Sequence, residues 1–153
     1  MSNILVYRIG SLGDALVSLP AVHKIRFQHP DSKITLLTNQ PTNGLVSSWD
    51  ILKHSGVFDS VLYYRPDNIF DIFGLLIKLR LKSPSILYYL APVRSASQIS
   101  RDRKYFGSLG GIQKLIGFDQ AEKASVCGNH EMPEKEATRL LRISNPTALL
   151  NHE

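Results

Sequence analysis

Ile4-Leu5-Val6-Tyr7-Arg8-Ile9-Gly10-Ser11-Leu12-Gly13-Asp14 decides how this chain folds. Ile4 to Ile9 is a mostly apolar run stopped by glycine, the pattern of a central parallel strand covered on both faces. Gly10-x-x-Gly13-Asp14 then reads as a tight turn running straight into a helix. In open α/β sheets the mouth of such a turn, at the carboxyl end of a strand, is where ligands bind. Asp14 is thereby placed at a helix start facing that crevice.

Working outward, helical spacing of Leu16, Leu19, Val22 and Ile25 predicts a helix over about 14–28, kinked at Pro20 or beginning near Ser18, a good N-cap. Lys33 to Thr38 is expected as a second strand. A short helix over Asn43 to His54 follows, burying Leu45, Val46, Trp49 and Leu52. Val57 to Tyr64 is expected as a third strand, Asn68 to Lys82 as a helix and Ser85 to Leu90 as a fourth strand. Beyond Pro92 the pattern loosens. Arg101 to Phe106 is basic, Gly107, Gly110 and Gly111 bracket a turn, and Ile112 to Ile116 reads as one or two helical turns. Pro133 to Ile143 is expected as a last helix. Strands alternating with helices predict a Rossmann-like parallel sheet flanked by helices, of the α/β class.

The 153 residues suffice for one domain with a full core. With 43% apolar and 20% charged residues the composition is that of a globular chain, not a disordered one. The net charge of +5 favours anionic partners, or is simply a basic surface that keeps the protein in solution. Cys127 is the only cysteine, so an internal disulfide is excluded and a reducing, cytoplasmic setting is expected. The start of the chain lacks the basic region and the cleavage site of a signal peptide, so none is expected. Ile69 to Leu81 contains Asp71, Lys78 and Arg80 and is too short and too charged to span a bilayer.

Gly10-x-x-Gly13-Asp14 departs from the dinucleotide fingerprint, because Ser11-Leu12 stands where the second glycine belongs. Thr38-Asn39-Gln40 also puts no acid after the second strand, which counts against a nucleotide binder. No lysine follows as in a P-loop. Two readings of Asp14 remain open. It is an acid favoured by the helix dipole, or a general base aimed at a hydroxyl. Arg94, Arg101, Arg103 and Lys104 form either a solvated basic face or a clamp for phosphate or carboxylate. The five histidines show no metal-ligand spacing, so no metal site is expected, and no recognition helix or RNP pattern supports nucleic-acid binding. Tyr63, Tyr64, Tyr88 and Tyr89 are expected to pack at the rim of the sheet.

Residues 4–20 resemble the opening of the bacterial glycosyltransferase family 9, the lipopolysaccharide heptosyltransferases: a strand, Arg-x-Gly-x-x-Gly-Asp, then a proline-marked helix. Phe27-Gln28-His29-Pro30 and Lys33 to Leu37 extend the match, and Arg101-Asp102-Arg103-Lys104-Tyr105-Phe106 adds to it. The resemblance is good over residues 1 to about 65 and thin after Gly117. It implies the amino-terminal half of a GT-B enzyme, whose two Rossmann-like halves face each other across a cleft. Such an enzyme inverts the anomeric centre without a metal or cofactor. The donor is a nucleotide sugar such as ADP-heptose, and the acceptor is a phosphorylated, lipid-linked inner-core sugar.

Carried onto this sequence, the resemblance makes Asp14 the base. Gly10, Ser11 and Gly13 would shape the loop beside the acceptor hydroxyl, and Arg101, Arg103 and Lys104 would meet acceptor phosphates. It implies an acceptor-binding domain over residues 1–120 and a helix and linker over 121–153, leading toward a donor domain that the chain lacks. The expectation is therefore an acceptor half, inactive alone, working in the cytoplasm at the inner membrane surface, and either a truncated gene product, a fragment, or a half whose further partner is a separate donor-domain chain. The alternative is a non-catalytic α/β module that binds anionic lipid or polysaccharide precursors.

Overall fold

The computed structural model describes residues 2–40, 46–65, 68–92, 94–126 and 136–144. In chain order its elements are β1 (Asn3–Tyr7), α1 (Leu12–Gln28), β2 (Lys33–Asn39), α2 (Ser48–Leu52), β3 (Ser60–Tyr64), α3 (Ile69–Lys82), β4 (Ile86–Tyr89), α4 (Ala96–Lys104), β5 (Lys114–Ile116), α5 (Phe118–Val126) and α6 (Glu136–Ile143). The five strands form one sheet in the order β3-β2-β1-β4-β5, and every neighbouring pair is parallel. This is the expected Rossmann-like α/β arrangement. Its strand order reverses between β1 and β4, the topological switch point where such folds open a crevice.

The apolar run of β1 explains its central place. Ile4 and Val6 point to one face and pack with Ala21, Val22 and Ile25 of α1, Leu52 of α2, and Leu140 and Ile143 of α6. Leu5 and Tyr7 point to the other face and join Leu75 and Leu79 of α3, Ile99 of α4 and Phe118 and Ala121 of α5. Alternate side chains thus feed two cores, so neither face of the strand reaches water. Tyr7 stacks on Tyr89, with centroids 5.1 Å apart, and Tyr89 stacks on Phe118 at 4.1 Å. Tyr88 and Tyr89 are buried within the sheet layers and not at its rim, while Tyr63 is exposed.

Several local expectations are corrected. Helix α1 runs unbroken from Leu12 through Pro20, and Ser18 is no cap but donates its hydroxyl to the Ala15 carbonyl at 2.7 Å. The amide that Pro20 lacks would have gone to Leu16, an exposed residue, where water can serve the carbonyl instead. The third strand starts at Ser60, because Asp59 turns its carboxylate back onto the Ile34 amide at 2.7 Å. Arg101 to Phe106 is helical, lying in α4 and a following π-helical turn over Tyr105–Leu109. A Cβ at Gly110 would come within 2.6 Å of the Phe106 carbonyl oxygen, so that turn needs glycine. Ile112 to Ile116 is not helical: its end forms the edge strand β5 beside β4.

The expected short helix of 43–54 is α2, followed by a 3-10 turn over Lys53–Ser55, and its residues 43–45 lie outside those described. The last helix begins at Glu136, with 133–135, Cys127 and His130 likewise outside the described residues. Helix α6 is no free extension. Leu140 and Ile143 enter the core beneath α1, and the boundary expected near residue 120 falls inside α5.

Candidate active site

The turn after β1 is built around Asp14. Ser11 caps α1, and its amide and hydroxyl both donate to Asp14 Oδ2, at 2.7 and 2.8 Å. This is one half of a capping box, with aspartate in the usual glutamate place. Gly10 sits at φ +136, and a Cβ there would lie 2.4 Å from Asp14 Oδ2. Only glycine leaves room for the carboxylate to fold back over the turn. Gly13 differs: a Cβ would meet nothing nearer than Ser11 Oγ at 3.8 Å, so the chain's own packing does not demand glycine there.

Beneath the turn lies Arg8, whose side chain is 0% exposed. Its Nε and Nη2 donate to the Asp14 carbonyl at 3.2 and 2.9 Å, and Nη2 reaches Asp14 Oδ1 at 3.4 Å. Nη1 donates to the Leu90 carbonyl at 2.5 Å and to Glu136 Oε1 at 3.3 Å. One guanidinium therefore ties together the end of β1, the start of α1, the end of β4 and α6, across the switch point itself. Glu136 in turn accepts from Arg139 Nε at 2.8 Å and Nη2 at 2.7 Å, and that Nη2 also donates to the Ala91 carbonyl at 2.6 Å. A buried arginine must be paired and hydrogen-bonded, and all three nitrogens of Arg8 are. A charged residue closing an otherwise apolar strand was the signal for this network in the sequence.

The Asp14 side chain remains 35% exposed. Burial, the largest influence, pushes its pKa up, but the Ser11 amide, the Ser11 hydroxyl and Arg8 together outweigh it and hold the carboxyl below its ordinary value. The group is thus ionised at neutral pH, with Oδ2 held by Ser11 and Oδ1 bearing one long contact to Arg8. It can accept a proton or a hydroxyl hydrogen bond from the crevice. Asn39, at the end of β2, closes the other side by accepting the Gly10 amide at 3.3 Å.

The basic residues fall in a different place. Helix α4 starts near the same rim, but Arg101, Arg103 and Lys104 occupy its last turn. Arg101 is largely exposed and touches Asp102 at 3.2 Å. Lys104 is exposed. Arg103 is committed within the protein, to Asp119 at 2.8 Å and Glu122 at 3.0 Å, with its guanidinium over the Phe118 ring. It ties α4 to α5 and is not displayed for a phosphate. Nearer the rim is Arg94, which donates to the buried Asp102 at 2.8 Å and lies over Tyr7 at 5.9 Å from its centroid. Tyr89 donates to the same Asp102 oxygen at 2.7 Å, and burial first, then this bond, raises the Tyr89 pKa. Among the described residues no group of three or more His, Cys, Asp or Glu converges as a metal site, and no helix is long and apolar enough to cross a membrane. A small hollow between Asn3, Lys33, Leu62 and Leu79 lies at the opposite, amino end of the strands.

The fold is heptosyltransferase-like. The structure of E. coli ADP-heptose lps heptosyltransferase II superposes with a TM-score of 0.59 at 16% identity, over 94% of this chain and 40% of that one. E. coli heptosyltransferase WaaC with ADP-2-deoxy-2-fluoro heptose gives 0.60 at 13% identity, over 94% of this chain and 47% of that one. A glycosyl transferase of family 9 from Veillonella parvula gives 0.56 at 14% identity, over 95% of this chain and 41% of that one. The chain thus spans less than half the length of each heptosyltransferase-like neighbour. No protein-family model and no curated protein matches the sequence.

Proposed function

We propose that this heptosyltransferase-like chain is the acceptor side of a metal-independent, inverting glycosyltransferase, with Asp14 as its base. The reading is supported above all by the partly exposed, ionised carboxylate of Asp14, fixed by Ser11 and by the buried Arg8 at the switch point of the sheet. In the proposed step an acceptor hydroxyl gives its proton to Asp14 Oδ1 as its oxygen bonds to the anomeric carbon of a nucleotide sugar such as ADP-heptose. The bond from that carbon to the nucleotide diphosphate breaks on the opposite face, and the diphosphate leaves with the electron pair. The base and the in-line geometry must coincide, so a donor-binding half has to be present, on this polypeptide or on a partner chain.

The acceptor is a phosphorylated, lipid-linked inner-core sugar met at the cytoplasmic face of the inner membrane. Gly10, Ser11 and Gly13 line the loop beside its hydroxyl, and the exposed Arg101 and Lys104 meet its phosphates. Joining a donor half to the chain should give sugar transfer that Asp14→Ala removes. Transfer that persists in Asp14→Ala overturns the assignment. Asp14 also serves as a helix cap, which favours a second reading, a non-catalytic module for anionic lipid or polysaccharide precursors. On that reading precursor binding survives Asp14→Ala and no transfer appears with any donor half.

A further inference from the structure

Helix α3 has two apolar sides. Leu75 and Leu79 face the core, while Ile69, Phe70, Phe73, Ile77 and Leu81 stand in water, Phe70 being 82% and Leu81 80% exposed. At about 100° per residue these five fall within an arc of roughly 120°, opposite the buried side. Leu109, exposed on the neighbouring π-helical turn, extends the patch, since Arg80 Nε of α3 donates to its carbonyl at 2.7 Å. A helix apolar on both sides normally has both sides covered, and a contiguous patch of this kind marks an interaction surface.

Charge selects the occupant. The second half of α3 carries Lys78, Arg80 and Lys82, and the residues from Leu75 to Ser100 contain no acid. The one acid of the helix, Asp71, pairs with Arg65 at 2.8 Å. A second copy docking through this same face would offer no unpaired α3 carboxylate to Arg80 within the stripe or Lys78 beside it. An anionic bilayer offers both what the stripe needs, an acyl boundary, and what the cations need, headgroup phosphates. The stripe lies on the α4 and α5 layer of the sheet, whereas Asp14 caps the helix of the other layer, so a bound bilayer leaves the crevice uncovered.

We propose that the outer face of α3 is the surface by which the protein rests on an anionic lipid bilayer, inserting Ile69, Phe70, Phe73, Ile77 and Leu81 at the acyl boundary. This deepens the proposed function by giving the route to a lipid-linked acceptor, and rests on it for that purpose alone.

Flotation of the full 153-residue chain with vesicles of equal phosphatidylglycerol and phosphatidylcholine tests it. The protein should float with these vesicles and partition about thirtyfold less onto pure phosphatidylcholine, as two near-surface cations, Lys78 and Arg80, imply. The pair Phe73→Glu/Ile77→Glu should reduce binding at least about tenfold. Phe27→Glu, at an exposed position of α1 off the stripe, should not, with far-UV circular dichroism confirming that both variants fold. Vesicle binding unchanged in the double variant overturns the surface. So does a wild-type chain that ignores both vesicles, including one whose only loss on substitution is a dimer seen by sedimentation. Binding of a lipid-free phosphorylated inner-core oligosaccharide is read in parallel. Retained in the double variant, it leaves the function standing whatever the vesicles show, and lost in the wild type while flotation persists, it removes the acceptor assignment alone.

Discussion

Arg8 Nη2 stands 3.4 Å from Asp14 Oδ1 and 2.9 Å from the carbonyl of the same residue. The buried cation therefore fixes the backbone of Asp14 more firmly than its carboxylate, which stays half-turned to the crevice. Base and support are separable by substitution.

Asp14→Asn keeps the shape and the acceptors for the Ser11 amide and hydroxyl but cannot take a proton. With a donor half supplied, kcat should fall by about 10²–10⁴, the range for losing a general base. KM for the acceptor and the melting temperature should change little. A variant that loses stability and keeps kcat would show Asp14 to be a cap only.

Arg8→Met should be far more damaging to the fold. It leaves Glu136 with Arg139 alone and strips the Leu90 and Asp14 carbonyls of a donor. The carboxylates left behind are 35% and 30% exposed, so the cost comes mainly from the buried carbonyls left without a donor, about 1–3 kcal/mol each. Urea denaturation should show a midpoint lowered accordingly with the slope unchanged. Stability within about 1 kcal/mol of wild type would contradict the network.

Gly10→Ala meets two obstacles, a positive φ of 136 and a 2.4 Å approach to Asp14 Oδ2. The cost is about 1–3 kcal/mol for the backbone strain alone. The carboxylate must also turn away from Ser11, so transfer should fall with it. Gly13→Ala has no such clash, and should preserve or raise the melting temperature as a helical alanine does. Lower acceptor affinity in Gly13→Ala would then mark the close approach of a ligand.

Asp14, Asp59 and Glu136 all have folded-state pKa values below their ordinary ones. In each case burial opposes the shift and is outweighed: by Ser11 and Arg8 at Asp14, by the Ile34 amide and Arg26 at Asp59, and by Arg139 and Arg8 at Glu136. A depressed carboxylate stabilises the fold fully above its unfolded pKa, about 3.9 for Asp and 4.3 for Glu, and loses that contribution as pH falls through the lower folded value. Acid denaturation should therefore set in below about pH 4, and the acid limb of kcat/KM should not lie above that pH. A limb near neutrality would exclude Asp14 as the titrating base.

Arg103 and its neighbours separate by role. Arg103→Ala should loosen α5, seen as faster amide exchange over 118–122, with acceptor affinity unchanged. Arg101→Ala and Lys104→Ala should leave exchange unchanged, weaken binding of a phosphorylated acceptor and flatten its salt dependence. Unaltered binding in both would remove them from the acceptor site.

The opening strand and turn were legible because their signals are local, an apolar run and a glycine at the turn. The start of α1 was not, because Ser18 has the chemistry of a cap and only the fold of the turn puts Ser11 against Asp14. Nor was the middle of α4. Its buried positions are Ile99 and Asp102, and only Tyr89 and Arg94, brought near by the fold, explain an acid on the inner side. β5 is three residues long and gains strand geometry only from β4 beside it. Arg8 lies in plain sight at the end of an apolar strand, yet its partner Glu136 stands 128 positions away, beyond the reach of any periodicity. Arg103 sat in the right cluster for a phosphate contact, but Asp119 and Glu122 claim it through a helix pairing that spacing does not reveal.

The bond from Arg8 to Glu136 also dictates an order of events. A ribosome reads from the amino terminus, so the guanidinium is made 128 residues before its distant counter-charge emerges. Until then all five strands can already pair, the last of them ending at Ile116, but the cation beneath the crevice lacks its acidic neighbour from α6. Maturation of the pocket thus follows completion of the sheet and is coupled to docking of that helix, so the nascent protein carries the groove in an unfinished state after its strands have paired.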